Sequence, residues 1–122
     1  ADITMGTGVR LRRKYKFENN IGGKTGTTQN NSDGWFMGIT PQLVTGVWSG
    51  NEDRSAHFRS TFYGQGANMA LPVWAEYMQK VYSDSLELGI YPQEFDIPAA
   101  VDLLLDCQAN KLGNENFTEE EF

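Results

Sequence analysis

Between residues 21 and 48 the chain alternates short runs of apolar, small and β-branched residues with turn-forming ones. Residues 21–28 are rich in Gly and Thr and predict an exposed edge strand. Gln29-Asn30-Asn31-Ser32-Asp33-Gly34 is a dense turn signal. Residues 35–40 and 43–48 read as two further strands, joined by a tight Pro41-Gln42 connection. Both are apolar at alternate and intervening positions, which predicts strands covered on both faces of a layered fold. Connections this short imply antiparallel pairing. After an irregular stretch over 50–66, one helix is predicted over residues 70–82, with Pro72 in its first turn. Leu71, Trp74, Ala75, Met78 and Tyr82 fall on one face at helical spacing, and Glu76, Gln79, Lys80 and Ser83 on the other. The fold expected is α+β: an antiparallel meander of about three strands packed against a C-terminal helix. A second, short amphipathic helix is predicted over 99–109, docking by Val101, Leu104 and Leu105.

Composition fits one soluble domain: 122 residues, 39% hydrophobic and 21% charged. No run approaches the roughly 20 apolar residues of a membrane span, so no membrane contact is expected from this segment. The net charge of −6 argues against nucleic-acid binding. The charge is uneven. Residues 1–82 carry nine Lys/Arg and six Asp/Glu, whereas residues 83–122 carry one Lys and ten Asp/Glu. That step predicts a boundary near Ser83 and an acidic C-terminal tail over 83–122. Five basic residues fall between Arg10 and Lys16, a cluster expected to be a solvated strand or loop. A single cysteine, Cys107, and a single histidine, His57, leave no disulfide, and no metal or cofactor is expected.

The informative motif is Ile21-Gly22-Gly23-Lys24-Thr25-Gly26-Thr27-Thr28. A phosphate-binding loop ending in Gly23-Lys24-Thr25 would need a glycine at position 18, which is Glu18, and a helix after the Thr, where the chain is turn-rich. The alternative is the K-T-G element of serine acyl transferases. On a strand Thr25 and Thr27 share a face. A lysine, two hydroxyls and a free backbone N–H are what acyl transfer at a peptide carboxy-terminus requires near the nucleophile. An open strand edge can hold an extended peptide by main-chain pairing.

Further strings extend the match. Gly6-Thr7-Gly8 with Arg10-Leu11-Arg12 precede the motif. Asp33-Gly34-Trp35-Phe36-Met37-Gly38, Thr45-Gly46-Val47-Trp48-Ser49-Gly50-Asn51 and Gly64-Gln65-Gly66-Ala67 through Ala70-Leu71-Pro72-Val73-Trp74 follow it. Over roughly residues 5–82 the chain resembles the C-terminal part of the transpeptidase domain of bifunctional (class A) penicillin-binding proteins. Residues 83–122 carry no such resemblance.

The resemblance implies a bacterial cell-wall enzyme of the extracytoplasmic, periplasmic side of the inner membrane, anchored upstream and preceded by a glycosyltransferase domain. It crosslinks peptidoglycan stem peptides and is acylated by β-lactams. The resemblance implies that Lys24 stabilises charge around the reacting serine, and that Thr25 and Thr27 bind the substrate carboxylate with Gly26 keeping the strand low between them. The Thr27 N–H would serve the oxyanion hole. The nucleophile motif S-x-x-K is absent, since Ser32, Ser49, Ser55, Ser60, Ser83 and Ser85 all lack a Lys three residues on. Ser49-Gly50-Asn51 fits S-x-N as a string but follows the K-T-G element where the family's motif precedes it. The 122-residue chain is therefore expected to be inactive alone. In the family the strand over 43–48 lies centrally. Here its outer edge should be unpaired and a route to self-association. The competing expectation is an autonomous, non-catalytic module that binds peptidoglycan or a protein partner through the basic cluster or the tail.

Overall fold

The computed structural model describes residues 6–96. Asn30 and Asn31 take left-handed backbone angles, φ 60° and 56°, within a single 3-10 turn at Gln29–Asn31. Asparagine adopts that region more readily than other non-glycine residues. The turn joins β1 (Gly22–Thr27) to β2 (Asp33–Ile39). Thr28 Oγ1 accepts from the Asp33 N–H at 3.0 Å and lies 3.0 Å from Ser32 Oγ, so side chains close the hairpin as well as the backbone. At the next reversal the Thr40 N–H donates to the Leu43 carbonyl and the Leu43 N–H to Thr40 Oγ1, around Pro41 and Gln42. This leads into β3 (Val44–Gly50). The sheet is antiparallel in the order β1-β2-β3, the expected meander.

The register sorts side chains by face, because residues opposite one another in a ladder share a side. Thr25, Phe36 and Val47 form one row, flanked by Gly23–Gly38–Thr45 and Thr27–Gly34–Ser49. This inner side packs on α3 (Gly66–Ser83), which presents Ala70, Leu71, Trp74, Ala75, Met78 and Val81 to the core. Trp74 is fully buried, with Phe36 edge-on to it at 5.1 Å between ring centroids. Its indole N–H donates to Thr45 Oγ1 at 2.6 Å, so the ring is buried without an unmet donor. The indole fills the space a side chain at position 38 would need, which Gly38 leaves open. Each large apolar side chain buried here contributes about 2 kcal/mol. The α+β class and the helix face read from the periodicity both stand.

Four expectations change. The basic cluster is not a strand or loop: it contains helix α1 (Val9–Arg13), and Leu11, Tyr15 and Phe17 are buried. Its apolar positions turn inward while Arg12 donates to the Phe17 carbonyl at 2.8 Å. The long helix starts at Gly66 rather than 70, which places Pro72 beyond the first turn. The irregular stretch ends in a short helix, α2 (Thr61–Gly64), whose Ser60 side chain accepts from the Phe62 N–H. Finally, the strands are covered on one face only. Trp35, Met37, Ile39, Val44 and Trp48 are 41–62% exposed, because α3 covers the inner side and no described element lies over the outer one.

Beyond α3 a short helix, α4 (Ser85–Leu88), stops at Gly89 with φ +68°. The chain is then tied to the β2–β3 turn: Gln42 donates to the Gly89 carbonyl at 3.2 Å and accepts from the Tyr91 N–H at 2.9 Å. The acidic stretch thus begins on a segment held against the sheet. The helix expected over 99–109 and most of the tail lie outside the described residues. Among the described residues no helix is long and apolar enough to cross a membrane.

Candidate functional site

The K-T-G-T residues lie on β1, at the edge of the described sheet. The Thr28 N–H donates to the Asp33 carbonyl at 3.1 Å, across the hairpin. Backbone groups alternate sides along an antiparallel strand, so Gly26 and Lys24 also turn theirs toward β2. The N–H and C=O of Thr27 and Thr25 then point to the open side. Lys24 agrees with this geometry: its ammonium curls to the strand edge and donates to the Thr25 carbonyl at 2.7 Å. One cation and the outward N–H groups of Thr25 and Thr27 therefore converge along one free edge.

The side chains divide between faces. Thr25 and Thr27 share the inner face, as alternation requires, while Lys24 stands on the outer face opposite Met37. Gly26 is also on the outer face, opposite Trp35, where an added Cβ would meet the Trp35 Cβ at 3.3 Å. Gly26 thus lowers the outer surface beside Trp35, not the ground between the two threonines. Thr27 is exposed, and its Oγ1 accepts from the Gly66 N–H at 3.1 Å. Thr28 is turned away into the hydrogen-bonded cluster with Ser32 and Asp33.

The remaining candidates stay apart from this edge. Ser49 sits on β3 in the inner row with Gly34, and Asn51 follows in a turn where its side chain accepts from the Asp53 N–H. The Ser49-Gly50-Asn51 string is two strands away from Lys24. His57 is exposed, beside the Phe58 carbonyl. Asp53, exposed nearby, has its pKa held low by hydrogen bonds from the Ser55 backbone and side chain. Cys107 lies outside the described residues.

Periodicity missed the contact between β1 and the first turn of α3, since Gly64-Gln65-Gly66 reads as loop. It also missed the brace behind it, where the Arg10 guanidinium donates to the Ala67 carbonyl at 2.9 Å and to the Asn68 side chain. The edge can bind an extended chain by strand addition and can hold an anion against Lys24.

No family model and no solved structure matches the chain significantly. Among curated proteins it is similar to penicillin-binding protein 1A of Escherichia coli (strain K12), with 34% identity over 129 aligned positions covering 97% of this chain and 15% of that protein. Penicillin-binding protein 1A of Aquifex aeolicus (strain VF5) is 36% identical over 88 positions, covering 71% of this chain and 11% of the relative. The Neisseria gonorrhoeae protein of the same name is 44% identical over 59 positions, 48% of this chain and 7% of the relative. The chain spans less than a sixth of the length of these relatives.

Proposed function

The chain belongs to the class A penicillin-binding proteins, matching the C-terminal part of their transpeptidase domain, and we propose from that premise that it carries the substrate-binding strand of a serine D-Ala-D-Ala transpeptidase. The parent acts in peptidoglycan crosslinking on the extracytoplasmic side of the bacterial inner membrane. Its substrates are stem peptides, and β-lactams acylate it in their place. The reacting serine, its lysine and the S-x-N element lie outside this chain.

In this reading a stem peptide lies extended along the open edge of β1. The Thr25 and Thr27 hydroxyls bind its terminal carboxylate. The serine oxygen attacks the penultimate carbonyl, whose oxygen turns negative within reach of the outward Thr27 N–H. The terminal D-Ala then leaves with a proton, and the amine of a second stem peptide resolves the acyl-enzyme. Lys24 supplies positive charge beside the serine. The observation that supports this best is the convergence of the Lys24 ammonium with the outward backbone of Thr25 and Thr27 on one free edge.

The module reading, in which the chain binds peptidoglycan or a protein partner through the basic cluster or the tail, is weaker for the cluster because Arg10 and Arg12 are engaged by the Ala67 and Phe17 carbonyls.

The test is Lys24→Ala in the full-length protein, read as the rate of acylation by a labelled penicillin. Loss of one preorganised electrostatic contact is expected to slow acylation by about a hundredfold or more. Thr28→Ala, which removes a hydroxyl turned into the hairpin, is expected to leave acylation near wild type. A fall of less than about threefold for Lys24→Ala, roughly 0.65 kcal/mol, would contradict the role given to it.

A further inference from the structure

The amide of Gly66 is among the first four of α3 and has no carbonyl partner within the helix. Gln65, at the cap position, provides no side-chain bond to this end. The bond comes instead from a different element, through Thr27 Oγ1 at 3.1 Å. The seat is close-fitting. A Cβ on Gly66 would come under 3.0 Å from the carbonyl oxygens of both Gly26 and Trp35, backbone atoms of a paired ladder that cannot swing aside. From the sheet side, a Cβ on Gly34 would stand 3.1 Å from the Gly66 Cα. Arg10 holds the following turn by the Ala67 carbonyl.

We propose that Gly66 is a positioning residue for carboxylate recognition, acting through Thr27; this rests on the reading of Lys24–Thr27 as the substrate strand. A threonine hydroxyl has one proton and two lone pairs. The Gly66 N–H occupies one lone pair and holds the side chain in one rotamer, which directs the proton away from the amide. The positive end of an 18-residue helix adjoins the same oxygen and favours an anionic acceptor over a neutral one. A carboxylate accepts only, so it suits a hydroxyl held as donor. An ester or carboxamide at the same place lacks the charge. The seat of α3 on β1 thereby contributes to selecting substrates with a free carboxy-terminus, and only glycine fits at position 66 without moving the helix off the strand.

The test compares acylation of the full-length protein by a penicillin and by its methyl ester. Gly66→Ala is expected to slow acylation by the free acid about tenfold while changing the ester rate less, so the acid-to-ester ratio falls. Gly38→Ala is the control for plain destabilisation. It disturbs the same helix–sheet interface at Trp74, far from Thr27, and should leave the ratio unchanged. In a Thr27→Val background Gly66→Ala should add less than about twofold, because residues acting through one bond are not additive. Thr27→Ser should keep the ratio.

A second measurement does not need Gly66 changed. Amide exchange at Gly66 in the 122-residue chain should be protected, lose protection in Thr27→Val and keep it in Thr27→Ser. An unchanged ratio in Gly66→Ala, full additivity with Thr27→Val, or exchange at Gly66 indifferent to Thr27→Val would each overturn the inference. If Lys24→Ala fails to slow acylation, the strand reading itself is wrong; if it does slow it and these tests fail, only the role of Gly66 is.

Discussion

Tyr82 shows how single residues join the helix to the rest of the fold. Its hydroxyl accepts from the Asn19 side chain at 3.0 Å, and Phe17 stands edge-on to its ring at 6.0 Å. Burial pushes the phenol pKa up, partly offset by hydrogen bonds from Asn19 and Thr40. A folded pKa above the unfolded value means the folded state holds the proton more tightly. That stabilisation is complete below the unfolded phenol's pKa of about 10 and is lost as pH climbs through the raised folded value. The urea midpoint of the wild-type chain should therefore fall more steeply above about pH 10 than that of Tyr82→Phe. Identical slopes for the two would show that Tyr82 is not shielded as described. Leu11 and Tyr15 make a complementary point. Each is apolar but set among Arg and Lys, so the local signal is charge, and only packing against α3 shows that they belong to the core.

The β3 strand forms the second edge of the described sheet. The Thr40 N–H bonds the Leu43 carbonyl, so alternation directs the backbone of Val44, Gly46 and Trp48 away from β2, to an edge that pairs with no other strand among the described residues. The neighbouring outer face carries exposed Trp35, Met37, Ile39 and Trp48. A long apolar edge of this kind templates pairing with another chain. Sedimentation of the 122-residue chain at tens of micromolar should show dimers or larger species, and Trp48→Lys should shift them toward monomer. A monodisperse wild-type monomer with slow amide exchange along Val44–Gly50 would contradict this. The strands and the buried face of α3 were legible because β-branched runs, turn residues and 3.6-residue spacing are local properties. The open outer face was not, since Trp35 and Met37 are as apolar as Phe36 and only the layout of layers tells which side is covered. The start of α3 was hidden because Gly66 is chosen for close approach to β1, not for helix propensity.

At the scale of the whole molecule, the K-T-G-T strand was legible as a motif, but its environment was not. That Thr27 is bonded to the first turn of α3 and that Lys24 curls to the strand edge depend on residues 39 positions apart or on side-chain geometry. The chain spans 15% of its Escherichia coli relative, and its serines lack the lysine spacing of the nucleophile. In the function proposed above, this segment is one wall of a site whose reacting group lies elsewhere in the parent. The most direct measurement is intact and peptide-level mass spectrometry after incubation with penicillin, on the 122-residue chain and on the full-length protein in parallel. No acyl adduct is expected on the 122-residue chain, and one stoichiometric adduct on the full-length protein, mapping outside these residues; a stoichiometric adduct on the short chain, or none on the full-length protein, would contradict the proposed role of this segment.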